Sequence, residues 1–154
     1  MDYITDALNH NEAPVQFIHE MTRDHFRTVG VGIMGLAELL QLNHVRYGSA
    51  TAERVAACVM SEVALTCWER SFQMVADEGA PIPKGWDATR MEHIFEMRAD
   101  SADQYGLPRS HIQRWDRLSE RCRMGEAATH TAVTSVAPTG TIAQIARWLM
   151  TRAK

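Results

Sequence analysis

The sequence predicts a mainly α-helical chain with one short strand, and three observations carry that prediction. Apolar residues recur at helical spacing through most of the 154 residues. Glycines and prolines punctuate the pattern where helices would stop. Only Ala132, Val133, Thr134, Ser135 and Val136 form a compact β-rich run. A hydrophobic fraction of 45% over this length suits one domain with a single core.

Taken in order, Asp2 to about Asn11 reads as a helix that "NEAP" around Pro14 ends. A second helical stretch opens at Val15, with Phe17, Ile18 and Met21 on its apolar side and Arg23, Asp24 and His25 expected in solvent. "IMGLAELLQL", from Ile33 to Leu42, carries a helical stripe through Leu36, Leu39 and Leu40. Ser49 is positioned to cap a long helix running to about Asp77, whose face is expected to hold Val55, Val59, Val63, Cys67 and Met74. Gly79 can take the left-handed cap conformation, and Pro81 and Pro83 block continuation. After the loop "PIPKGWD" come a shorter helix from Met91 to Ala99 and a break at Ser101 to Pro108. An amphipathic helix, Arg109 to Gly125, follows with Ile112, Trp115, Leu118 and Cys122 on one face. The last stretch, His130 to Trp148, reads as strand, turn at Pro138 and Gly140, then an apolar helix from Thr141.

The formal charge of -3 provides no broad basic field, so neither a nucleic-acid nor a membrane-surface partner is expected. No apolar run reaches membrane-spanning length and the first residues lack signal-peptide features, which points to the cytoplasm. Three cysteines without a C-x-x-C pair read as reduced thiols. Cys58 and Cys67 fit as small core hydrophobes, whereas Cys122 lies between Arg121 and Arg123, whose charge would lower a thiol pKa. The seven histidines, at positions 10, 19, 25, 44, 93, 111 and 130, lack metal-ligand spacing and are expected mostly on exposed helix surface. No metal site is expected.

Gly30, Gly32 and Gly35 spell G-x-G-x-x-G, the letters of a dinucleotide-binding turn. That mechanism needs a buried strand before the first glycine, and "TRDHFRTV" is too charged to be one. Glu53, about 20 residues on, falls at the start of a helix rather than the end of a second strand. The glycines therefore read as packing residues that let another backbone approach. In the strand-turn-helix of His130 to Trp148, free helix N-terminal amides, Gly140 and the hydroxyls of Thr139 and Thr141 could hold a phosphate. No lysine follows the glycine, so this is not a Walker A loop. On residues alone, a phosphate cradle and an ordinary structural turn both remain open.

"FRTVGVGIMGLAELLQL", followed about 100 residues later by "TSVAPTGTIAQIA", resembles the catalytic subunit of ribonucleotide reductases, more closely the adenosylcobalamin-dependent class. "YGS" at Tyr47 to Ser49 and "ADEGAPIP" agree in order and approximate spacing. The resemblance implies a single partial domain, residues 1–154, cut from a ten-stranded α/β barrel, with the glycine motif in a packing helix. It also implies that Ala137, Pro138, Thr139, Gly140, Thr141 and Ile142 hold substrate phosphate. Ala143 replaces a serine common in the family, and His130 stands near a position where asparagine is common. The family's radical cysteine, its acid and amide neighbours, and its electron-supplying cysteine pair have no counterpart here, so no catalytic residue is assigned.

The implied function is a partial reductase catalytic subunit for DNA-precursor synthesis, inactive alone, with a ribonucleotide substrate and adenosylcobalamin as the family-level cofactor. Its expected partners are the remaining reductase segments, or further copies of itself through uncovered apolar helix faces. The alternative is a non-catalytic helical assembly protein derived from the same scaffold.

Overall fold

In the computed structural model the described residues are 2–10 and 15–136, so the sequence-predicted loop Ala137 to Ile142 and the helix after it lie outside them. The chain forms α1 (Asp2–His10), α2 (Gln16–Glu20), α3 (Leu36–Leu42), α4 (Ala50–Glu78), α5 (Ala88–Gln104) and α6 (Arg109–Arg123). α2 runs directly into a π-helical turn, Met21–Phe26.

The caps of α4 are those expected from the sequence. Ser49 Oγ accepts from the Ala52 N–H at 3.2 Å, and Gly79 ends the helix at φ 65°. Asp87 caps α5 by accepting from the Arg90 N–H at 3.0 Å. α5 is longer than its apolar pattern implied, so the break shrinks to Tyr105 through Pro108, where Gly106 takes φ 61°. That short connection folds α6 back along α5.

The core lies among α4, α5 and α6. Leu65, Trp68 and Phe72 meet Met91, Phe95, Ala99 and Ala102, with Trp115, Leu118 and Cys122 closing the third side. Phe95 is fully buried; its ring meets Trp68 edge-on at 5.2 Å and stacks with Trp115 at 6.0 Å. The Arg121 guanidinium covers the Phe72 ring at 4.5 Å. Outside the core, Arg114 of α6 spans Glu62 and Glu69 of α4 at 2.7 and 2.8 Å.

The buried face of α4 includes the expected Cys67 and Met74 but departs from expectation at the valines. Val55, Val59 and Val63 are only half-buried, and the deepest residues are Leu65, Phe72 and Ser71. Steps of four residues overshoot the helical turn, so a row of three such steps drifts about 120° around the axis. The packed face instead alternates steps of three and four, through Leu65, Trp68 and Phe72.

α2 also departs from expectation, with Phe17 and Ile18 exposed and Arg23, Asp24 and His25 half-buried. The π turn leaves the Asp24 and His25 carbonyls open, and they accept from the N–H groups of Lys84 and Gly85, both at 2.9 Å. The loop after α4 therefore docks on this turn and covers its charged side chains.

The expected strand at Ala132–Val136 is extended, but among the described residues it makes one isolated parallel bridge, Val31 with Thr134. The Val29 and Val31 N–H groups donate to Ala132 and Val133 carbonyls at 3.0 Å, and the Ser135 N–H donates to Val31 O at 3.1 Å. α3 begins only at Leu36, after Gly35 at φ 80°.

Candidate functional site

The pair of extended segments organises the region nearest the expected phosphate loop. Thr28 through Gly32 combines valines, which favour extended backbone, with glycines that let the partner chain come close. A Cβ on Gly30 would stand 2.8 Å from Ser135 Cβ, and one on Gly32 would stand 2.7 Å from the Ser135 carbonyl oxygen. The packing role expected of these glycines is therefore present at Gly30 and Gly32, though in extended backbone and not in a helix, whereas Gly35 has no such close neighbour and serves instead the left-handed entry to α3. The dinucleotide reading fails on the same geometry: the segment makes a single bridge, and only the seven-residue α3 follows it.

Because the pairing is parallel, both C-terminal ends point the same way. The turn from Gly32 to Gly35 lies beyond one, and Val136, which leads directly into Ala137 to Ile142, lies at the other. Ligands of α/β proteins gather at that end of parallel strands.

The opposite end is built from buried polar groups. His130 is fully buried, with Ser71 Oγ 2.9 Å from Nδ1 and Thr5 Oγ1 3.2 Å from Nε2. Burial, aided by the nearby charge of Arg27, pushes its pKa down to about 4, so the ring is neutral at physiological pH. His111 is buried too, with Nε2 3.0 Å from a Glu62 carboxylate oxygen and no hydrogen-bond partner for Nδ1 among the described residues. His10, His44 and His93 do lie on the surface, but the surface expectation is wrong for His111 and His130. Nothing local marks His130, because its partners stand 59 and 125 residues away.

Arg27, which leads into the glycine motif, is 2% exposed and takes the left-handed conformation at φ 48°. Its Nε donates to Thr129 O at 3.0 Å, Nη1 to Arg23 O at 3.1 Å and Nη2 to Asn9 Oδ1 at 2.8 Å.

The thiols offer no reactive centre. Cys67 and Cys122 are buried and Cys58 is half-buried. The flanking arginines do not activate Cys122: burial outweighs the nearby positive charge and pushes the thiol up to about 11. Among the described residues, no group of three His, Cys, Asp or Glu side chains could hold a metal, and no helix is long and apolar enough to cross a membrane.

The family model for the ribonucleotide reductase barrel domain matches residues 1–151. The chain belongs to that family. Vitamin B12-dependent ribonucleoside-diphosphate reductases from two Mycobacterium tuberculosis strains, CDC 1551 / Oshkosh and ATCC 25618 / H37Rv, are 28% identical to it over 144 residues. That alignment covers 94% of this chain and 16% of each relative, so the chain spans about a sixth of their length. No solved structure matches it. The helices and the short parallel contact are a mainly helical fragment of the reductase barrel.

The relatives' name raises cobalamin. Among the described residues, cavities of about 200 Å³ beside Met60, Trp68, Tyr105, Trp115 and Thr134, about 400 Å³ beside Arg27 and about 530 Å³ beside Tyr3, Cys67 and Arg70 are present. Each is smaller than a corrin ring with its nucleotide tail, so none of these cavities encloses that group.

Proposed function

We propose that this chain is a segment of a ribonucleotide reductase catalytic subunit that contributes the substrate-phosphate loop, Ala137 to Ile142. The observation that carries the reading is the parallel pair joining Val29–Val31 to Ala132–Ser135, inside a family match covering nearly the whole chain. The loop follows directly from the end of that pair where the glycine turn also lies. Gly140 would admit close backbone approach, the free amides of the helix that the sequence predicts next would face the phosphate, and Thr139 and Thr141 would add hydroxyl donors.

Ribonucleotide reduction itself needs thiols that can lose a hydrogen atom and then supply electrons. The buried Cys67 and Cys122, whose pKa values burial raises, are poor candidates for that work. The chain on this reading binds the phosphate of a ribonucleotide and depends on other reductase segments for the chemistry. Adenosylcobalamin enters this reading only at the level of the family, through the relatives' dependence on vitamin B12. A cytoplasmic place in DNA-precursor synthesis follows from the same reading.

The double variant Thr139→Ala, Thr141→Ala tests it by thermal unfolding with and without a ribonucleoside diphosphate. The nucleotide should stabilise the parent, and the variant should lose most of that shift while keeping its helical circular dichroism. Equal stabilisation of both proteins would refute the loop assignment.

A further inference from the structure

At the other end of the parallel pair, a cavity of about 400 Å³ is lined by Asn9, Arg23, Asp24, Arg27, Ile82 and Lys84. Three of these side chains are cations and one is a carboxylate. Arg23 pairs with Asp24 at 2.8 Å, which neutralises one positive charge locally. Arg27 and Lys84 have no ion-pair partner among the described residues. A guanidinium carries five N–H donors, and the protein engages Arg27 through Nε, one hydrogen of Nη1 and one of Nη2. Two hydrogens, on adjacent nitrogens of one planar fork, are left without a protein acceptor among the described residues.

The one carboxylate here, Asp24, also acts on Arg27 and Lys84, so three cations share a single negative charge, and a buried charge that is under-compensated in this way is costly and favours a counterion. The local backbone is also shaped to hold Arg27 here. The π turn ends in its left-handed conformation, and Thr129, Arg23 and Asn9 fix the guanidinium from three sides. π turns and left-handed non-glycine residues are expensive and cluster at binding sites. Lys84 is held over the same cavity because its main-chain N–H donates to the Asp24 carbonyl at 2.9 Å.

We infer that this cavity is an oxyanion site that takes a phosphate group, with the Arg27 fork and the Lys84 ammonium as its charged donors. Arginine gives the planar two-point contact that suits a phosphate, and lysine adds a point charge. The site lies at the N-terminal end of the extended pair, opposite the proposed substrate loop, and does not rest on that loop's assignment.

The test is thermal unfolding of the protein in increasing inorganic phosphate, with ionic strength held constant by sodium chloride so that general screening cancels. Phosphate should raise the melting temperature saturably. Lys84→Gln keeps the main-chain bond to Asp24 and should weaken that binding about tenfold, the scale of one lost charge-assisted contact. Arg27→Lys keeps the charge but loses the fork, and should weaken it as well. The double variant Thr139→Ala, Thr141→Ala should leave the Lys84-dependent part of the shift unchanged. Parallel titrations with adenosine diphosphate and adenosine distinguish the phosphate's source: a stronger Lys84-dependent response to the diphosphate than to phosphate means a nucleotide, and an equal one means free phosphate. No saturable shift beyond the chloride control, an identical shift in Lys84→Gln, or its loss in the threonine variant alone would overturn the inference.

Discussion

The α4–α6 unit and the junction between residues 27–31 and 129–135 share one apolar cluster but differ in how much buried polar bonding they add to it. The first is an aromatic core: Phe95 touches Trp68, Phe72 and Trp115, and its helices lie next to one another in sequence. The second closes contacts more than a hundred residues apart: Val29 and Val133 extend the apolar cluster into it, and Arg27 with Thr129 and Thr5 with His130 add buried polar contacts. Apolar burial tolerates imperfect geometry, whereas a buried polar group is stable only when its partners are all in place. The helical unit is therefore the scaffold, and the junction is the exacting part, flanked by both proposed phosphate sites.

The comparison breaks most directly at Phe95. Phe95→Ala should cost about 3–5 kcal/mol in denaturant unfolding, because a fully buried ring at the centre of the cluster leaves a cavity that the rings around it cannot fill. A loss below 1 kcal/mol would mean that the helical unit is not the main source of stability.

The junction should betray itself through pH. His130 binds a proton less readily in the folded chain, at about 4, than in the unfolded chain near 6.5. The unfolded state therefore takes up the proton first as pH falls. Stability should be fully present above pH 6.5, decline by about 3 kcal/mol toward pH 4, and level off below. Urea unfolding across that range checks it, and His130→Asn should flatten this component of the slope.

Gly32→Ala sharpens the contrast further. Its new Cβ would press on a main-chain oxygen of Ser135, so the substitution should cost about 1–3 kcal/mol. Hydrogen exchange should accelerate at Val29, Val31 and Ser135 while α5 and α6 stay protected. The smallest effect is expected at Ser49→Ala, about 1 kcal/mol from the lost α4 cap, measured by the same denaturant titration.

These two regions also differ in how much of them the sequence reveals. The caps at Ser49 and Gly79 and the apolar face of α6 are local signals, and the structure bears them out. The face of α4 was harder to read, because valines four apart mimic a stripe while the aromatic partners that select the true face sit on other helices. At the junction almost nothing is local. G-x-G-x-x-G shows that backbone must pass close by, but only the fold reveals that the visitor is Ser135 and that the glycines are extended. The burial of Arg27 and His130 has no periodic signature, since their partners come from distant segments. The loop residues Ala137 to Ile142 were legible as a motif through the family resemblance, and they lie outside the described residues.

The measurement that bears most directly on the central claim is a backbone amide NMR titration with a ribonucleoside diphosphate. The account predicts saturable shifts at Gly140 and Thr141, carried into Ser135 and Gly32, with the amides of α5 and α6 unmoved. Unchanged Gly140 and Thr141 amides at nucleotide concentrations that saturate any other response would contradict it.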